Sequence, residues 1–517
     1  KVKAKEGQRI DMYTDTWKEP ANNGDSVRHA YITRDGEQEF EPLGWINGYD
    51  VYFEIPESVE VLELGFRPST YNTKPEGSFT SDDADMNKLY QKSYDTLLVT
   101  MRDNYMDCPD RERAQWWGDA VNEMQMAFYA MDSNAGHLYK KALNQVIGWQ
   151  NAAGQLPTTS PNGVDAISEL PMQALAGVHS FWQYYMYSGD TQPMVDGYET
   201  LLNYLKLWSV NSEGLVGHRG GTWDWMDWGN HADGTIIEQC WYYIACEYVL
   251  NMANLLDKPK ADKRFLEDRM YGIAKIFDSK FWNEERKAYY NNVDDGNADD
   301  RANALAVYTG LAKTNRYSDI AELLKTRKES SPYMEKYVLE ALYMMGYDDL
   351  AMQRTKERYR TMIDDEFPTL WEFWDKNAGT RNHAWTGGPL TMMYMFNAGI
   401  TPLEAAYKGI QIRPQTAGLK DIKASVPSPN GEISTAVKEE ADSIRLQVSI
   451  PEGADYAVVY VPRLDGKQTK VQLGDTVIYK DGAATEKLPE GVIYEDEDDK
   501  FVGFRVASGE YTFTATE

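Results

Sequence analysis

Roughly 320 consecutive residues of helical text, with β text on either side, constrain this chain more than any other feature. From Ser81 onward Met86, Leu89, Tyr90, Tyr94, Leu97, Leu98 and Met101 recur at helical spacing, and Ser81 or Asp82 can cap the start. The pattern returns at residues 201–208, 240–256, 266–282, 302–311, 337–345 and 351–362, with Gly-, Asn-, Asp- and Trp-rich loops such as 217–234 and 375–388 between. No strongly β-patterned segment interrupts the run, so antiparallel hairpins curled into a bundle or toroid are predicted. A uniform solenoid is disfavoured, because no literal repeat recurs.

The flanks read differently. Asp50–Pro56 and Val59–Leu64 are short β-branched and aromatic runs. The chain opens in polar text without a clear first strand, as the tail of a larger β region would. After about Pro402, Ile444, Leu446, Val448 and Ile450 alternate with polar residues, residues 456–461 form a buried-looking strand, and Ser508-Gly509 turns into Tyr511-Thr-Phe-Thr. The predicted domains are therefore 1–80 (an N-terminal β region), 81–403 (helical) and 404–517 (a C-terminal β domain).

Charge narrows the partners. With 53 basic and 81 acidic residues among 517, the formal charge is −28. That disfavours nucleic acid and anionic lipid, and would repel a polyanionic substrate outside a local basic patch. No stretch approaches the ~18 apolar residues of a membrane span. The three cysteines and six scattered histidines show no metal-ligand spacing, so no metal is expected. No basic-then-apolar leader follows Lys1.

Chemistry concentrates in Asp107-Cys-Pro-Asp-Arg-Glu-Arg-Ala-Gln-Trp-Trp-Gly-Asp119, with four carboxylates, two arginines and two tryptophans. A solvated charged loop is the bland reading, but such a loop gains nothing from exposed indoles. Carboxylates beside flat apolar rings suit carbohydrate, whose C–H faces stack and whose hydroxyls need acceptors. Thr369-Leu-Trp-Glu-Phe-Trp-Asp375 sets Glu372 between Trp371 and Trp374, followed by Arg381-Asn-His-Ala-Trp-Thr-Gly-Gly388-Pro. A third cluster, Thr222-Trp-Asp-Trp-Met-Asp-Trp228, adds three indoles and two carboxylates. Two distant carboxylates meeting among tryptophans fit glycosidic hydrolysis, one as proton donor and the other activating water or attacking the sugar. If Glu112 is the acid, Arg111 and Arg113 should both point away from it, toward the aspartates, since a neighbouring guanidinium lowers a carboxyl pKa.

The Asp-Cys-Pro-x-Arg-Glu-Arg-x-x-Trp-x-Gly-Asp pattern resembles the central motif of family 78 glycoside hydrolases, the inverting α-L-rhamnosidases. The stretches 369–374, 382–389, 399–414 and 429–432 are similar to that family as well. The resemblance implies an (α/α)6 toroid flanked by β-sandwich domains. It implies Glu112 as general acid and Glu372 as general base, with Asp107, Arg111, Trp116, Asp119, Trp223 or Trp225, His383 and Trp385 around the sugar. It also implies water as co-substrate, no cofactor, and a carboxyl separation of ~6.5–9.5 Å. The methyl group of a 6-deoxy sugar would call for an indole with a Tyr or Phe nearby.

The substrate implied is a rhamnose-containing oligosaccharide or glycoside. Polysaccharide breakdown would suit a periplasmic or extracellular site. Two other readings stay open: an inverting exo-glycosidase for another sugar, and a sugar-binding protein without catalysis.

Overall fold

The computed structural model of the chain describes residues 1–18, 28–162, 168–464 and 469–517. Its helical part comprises α1 (Ala84–Thr100), α2 (Trp117–Ala130), α3 (Asn134–Gly148), α4 (Pro171–Ser188), α5 (Gln192–Leu205), α6 (Gly234–Leu255) and α7 (Lys260–Phe281). It continues through α8 (Asp300–Tyr308), α9 (Tyr317–Thr326), α10 (Pro332–Met344), α11 (Asp348–Arg358), α12 (Arg360–Asp364) and α13 (Gly388–Met392). Contacts close a ring in the order α2, α4, α6, α8, α10, α13 and back to α2, while α1, α3, α5, α7, α9 and α11 pack outside. The toroid predicted from the hairpin pattern is thus present, with an inner and an outer layer.

Burial explains the layers. In α2 and α4 nearly every residue is buried, whereas α7 buries Leu266, Ile273, Phe277 and Phe281 on one stripe. Asp83, one or two residues past the predicted caps, accepts from the backbone N–H of Asp85 and Met86 to start α1. Gly177 on α4 lets the helix approach α2, because a Cβ there would collide with the Trp117 indole.

At the C-terminal end two sheets face each other. The larger has eight strands and contains Ser443–Ile450, whose Ile444, Leu446, Val448 and Ile450 point inward as the alternation predicted. The smaller has five strands, and its Phe504 stacks on Phe513 of the larger at 6.0 Å. Strand Ser78–Ser81 belongs to this region: it pairs with Asp421–Val426, although the sequence reading grouped residues up to 80 with the N-terminal β region. The N-terminal part forms two three-stranded antiparallel sheets. Its first strands, Val2–Ala4 and Arg9–Thr14, went unread in the polar opening. A small separate core of Val2, Ala4, Ile10 and Val59 holds it together.

Among the described residues no helix is long and apolar enough to cross a membrane.

Topology decides where chemistry can gather. The α1–α2, α5–α6 and α12–α13 connections each run from an outer helix to an inner one, so all open at the same end of the ring. They carry residues 107–116, 222–228 and 371–385 respectively. The three motifs separated in sequence therefore share one mouth.

Candidate active site

The loop before α2 turns sharply, with Arg113 at φ +56°, a left-handed conformation uncommon for a non-glycine residue. That turn sends Arg113 backward: its Nε donates to Pro109 O at 2.7 Å and its guanidinium lies 3.6 Å from the Trp45 ring. Arg111 goes the other way. Its Nε donates to Glu112 Oε1 at 2.7 Å and its Nη2 to Glu372 Oε1 at 3.0 Å. One guanidinium thus spans the two glutamates and holds a carboxyl oxygen of each within about 8 Å of the other, a bound that admits both the inverting and the retaining separation.

Glu372 is 3% exposed and held on every side. Its Oε2 accepts from Thr380 N at 3.0 Å and Thr380 Oγ1 at 3.2 Å, and its backbone carbonyl accepts from Trp385 Nε1 at 3.1 Å. The fold-back needs Gly379, because a Cβ there would sit 2.5 Å from Glu372 Oε2 and 2.6 Å from the Phe373 ring. His383 sits behind, with Nε2 2.8 Å from Asp119 Oδ1, and Nδ1 3.0 Å from Thr380 Oγ1 and 3.8 Å from Glu372 Oε2. Burial opposes charge on the imidazole, but Glu372 and Asp119 outweigh it and raise the His383 pKa. Asp119 is raised as well, chiefly by burial, with His383 opposing and Glu372 and Glu112 assisting.

Glu112 forms the more open side, its side chain 32% exposed. Cys108 Sγ donates to Asp107 Oδ2 at 3.2 Å and contacts Glu112 Oε2 at 3.4 Å, and Ala114 N donates to Asp107 Oδ1 at 2.9 Å. Burial drives the Asp107 pKa well above the usual carboxyl range; His383 opposes and Glu112 reinforces the rise. Burial alone would raise Glu112 too, but the bonds from Asp107 and Arg111 prevail and lower it. The two carboxyls therefore titrate as a pair, Asp107 pushed up and Glu112 drawn down. Asp110, buried between Asn47 (2.8 Å) and Asn382 (2.7 Å), is a tether: burial raises it to about 6 against those bonds and Arg113.

An aromatic wall closes the site. Trp385 lies 4.3 Å from His383 by ring centroid, and Trp225 stacks on Trp385 at 6.3 Å and 11°. Tyr333 packs at 5.5 Å from each indole. A buried ion network sets the wall's position: Arg301 donates to Asp227 Oδ2 at 3.1 Å, Asp299 Oδ1 at 2.8 Å and Asn230 O.

Among the described residues the metal-binding donors that gather are Asp107, Cys108 and His383, within 4.8 Å of one another. Both imidazole nitrogens and the thiol already have hydrogen-bond partners, and the arrangement reads as a proton network.

A family model for the bacterial alpha-L-rhamnosidase 6 hairpin glycosidase domain matches residues 74–396, well over half of the chain. The chain belongs to that family. The corresponding C-terminal domain model matches residues 399–474. The chain is 24% identical over 494 residues to an α-L-rhamnosidase of Streptomyces avermitilis, covering 88% of this chain and 45% of that protein. An α-L-rhamnosidase of Formosa agariphila is 23% identical over 447 residues, covering 77% and 45%. The chain thus spans about half the length of these curated relatives. Among solved structures, the α-L-rhamnosidase from Dictyoglumus thermophilum superposes with a TM-score of 0.81 at 23% identity, covering all of this chain and 60% of that one. The Streptomyces avermitilis α-L-rhamnosidase complexed with L-rhamnose gives 0.79 at 19%, covering 99% and 50%. These likenesses establish the rhamnosidase six-hairpin fold for the chain.

Within this rhamnosidase toroid, Asp107, Arg111, Glu112, Asp119, Glu372 and His383 converge through hydrogen bonds and close ion pairs, and Trp225 and Trp385 join them through the wall. Trp116 is half-buried at the start of α2, its backbone bridging to Thr159. Trp223 stands 46% exposed on the rim, so of the alternatives Trp223 and Trp225 it is Trp225 that reaches inward. The expected orientation of the arginines is half corrected. Arg113 turns away, but Arg111 grips Glu112, because its second arm finds Glu372 and a bridge between two carboxylates outweighs one contact with an aspartate. Sequence reasoning missed Cys108, Thr380 and Tyr333 as site components. Cys108 lay inside the quoted 107–119 stretch and Thr380 in the 375–388 loop, neither with a charge to mark it, and Tyr333 comes from a separate helix.

Proposed function

We propose that the protein is a glycoside hydrolase releasing terminal non-reducing α-L-rhamnose by inversion, with Glu112 as acid and Glu372 as base. The observation that carries this is Arg111 bridging the two glutamates beside the Trp225–Trp385–Tyr333 wall.

A sugar entering the mouth competes for Arg111. Once the guanidinium leaves Glu112 for a sugar hydroxyl, one of the two partners lowering that carboxyl is gone, and burial with the neighbouring Asp119 favours its protonated form. A proton held by the Asp107–Glu112 pair then resides on Glu112, which delivers it to the glycosidic oxygen. Glu372, fixed by Thr380 and Trp385, removes a proton from the water that attacks the opposite face of the anomeric carbon. The anomeric carbon–oxygen bond breaks, a new one forms to water, and the configuration inverts. Trp225, Trp385 and Tyr333 offer the apolar surface a 6-deoxy methyl needs. The relatives of matching fold are named α-L-rhamnosidases, which supports the choice of sugar.

Turnover of a panel of chromogenic glycosides tests the reading. Cleavage of the α-L-rhamnoside above the others is expected. Preference for another glycoside would move the activity to a different sugar, and binding of rhamnose without cleavage would make the chain a lectin-like relative.

A further inference from the structure

The indoles of the 222–228 loop extend beyond the pocket wall. Trp225 is 5% exposed, while its neighbours Trp223 and Trp228 are 46% and 42% exposed. The two outer rings lie 5.3 Å apart at 58°, and both pack on Trp225, at 6.5 and 6.0 Å. Trp228 also reaches Phe373, the residue after Glu372, at 5.7 Å. The pair therefore continues the inner wall outward from Trp385 and the base loop, and is no isolated surface patch. Two mutually packed indoles left this open to water mark a contact surface. A fixed polar group stands among them. Asp224, between Trp223 and Trp225 in the chain, is 55% exposed at its side chain and lies 3.1 Å from His218 Nε2, and His218 Nδ1 is anchored 2.7 Å from buried Glu238.

We propose that Trp223 and Trp228 form an aglycone subsite that stacks a flat, uncharged face of the group bonded to rhamnose, with Asp224 accepting a hydroxyl beside it. The subsite rests on the rhamnoside reading above and extends it from the sugar to its leaving group. An anionic aglycone is disfavoured by Asp224 and by the −28 charge of the chain. An aryl ring and the apolar face of a neutral pyranose both offer the required surface to indole.

The test compares wild type with the W223A/W228A double variant, its fold checked by circular dichroism, on 4-nitrophenyl α-L-rhamnoside, a neutral rhamnosyl-glucose disaccharide and methyl α-L-rhamnoside. The double variant is expected to lose at least about tenfold in the preference, as kcat/KM, for one or both of the first two over the methyl glycoside. A fall in the aryl arm alone assigns an aryl face, and a fall that includes the disaccharide assigns a sugar face. Unchanged ratios would overturn the subsite. So would an equal loss on all three substrates, since that would place the indoles in the pocket wall. A wild-type chain that cleaves none of the three overturns the proposed function, and the subsite with it.

Discussion

Asp107 and Glu112 work as a pair, and their environments are pushed in opposite directions. Asp107 is buried and raised; Glu112 is drawn down by the bonds from Asp107 and Arg111. A carboxyl with a raised pKa keeps its proton to higher pH, so the pair should stay loaded beyond the ordinary carboxylate range and lose activity as that proton leaves. Replacing Asp107 by Asn removes the proton store and leaves Arg111 acting on Glu112 alone. The alkaline limb of kcat/KM should then move to lower pH by at least about one unit; a pH profile with an unmoved limb would show that Asp107 does not load the acid. Glu112→Gln and Glu372→Gln should each cut kcat by at least ~10²-fold with an unchanged circular dichroism spectrum. At this scale the sequence displayed residue types well and orientations badly. Glu112 and Glu372 stood out by their tryptophan company, but nothing in the order Arg-Glu-Arg tells which arginine folds back. That depends on the left-handed turn at Arg113 and on Glu372, 260 residues away.

Elements were legible where they had two different faces. Helices α1 and α7 coincided with recognised patterns, and Ser443–Ile450 alternated as a half-buried strand does. Helices α2 and α4, buried on most of their residues, show no stripe of the kind that marks an amphipathic helix and were not singled out, while α10, equally buried, was read only over its second half from Tyr337. The opening strands were missed because Val2–Ala4 is only three residues long and Arg9–Thr14 sets Arg9, Asp11 and Thr14 among its apolar residues, so neither shows a clear apolar alternation. Between elements, Arg301 matters most: it is fully buried and ties the tryptophan loop, through Asp227 and Asn230, to the start of α8 at Asp299. Arg301→Met would leave two buried carboxylates without their counter-charge. A loss of roughly 3–5 kcal/mol is expected, read as a lowered thermal midpoint, together with a raised KM. A midpoint within a degree or two of wild type would mean that the network contributes little to holding the wall.

The whole molecule combines a ring that gathers three loops at one mouth with a surface of −28 formal charge. Such a surface favours neutral glycosides, and terminal rhamnose on a neutral disaccharide should be released faster than from intact acidic pectin; the reverse order, measured as initial rates at low salt, would count against the electrostatic argument. The ring and the C-terminal β region were legible from segregated β and α texture. The joining of Ser78–Ser81 to the C-terminal sheet was not, since pairing across more than 300 residues leaves no local mark. The central claim is that two glutamates from opposite ends of the helical part face one anomeric carbon and invert it. Time-resolved proton NMR of the anomeric signals during hydrolysis of 4-nitrophenyl α-L-rhamnoside tests this most directly. The account requires β-L-rhamnose as the first product, with the α-anomer appearing later by mutarotation; α-L-rhamnose as the first product would contradict it.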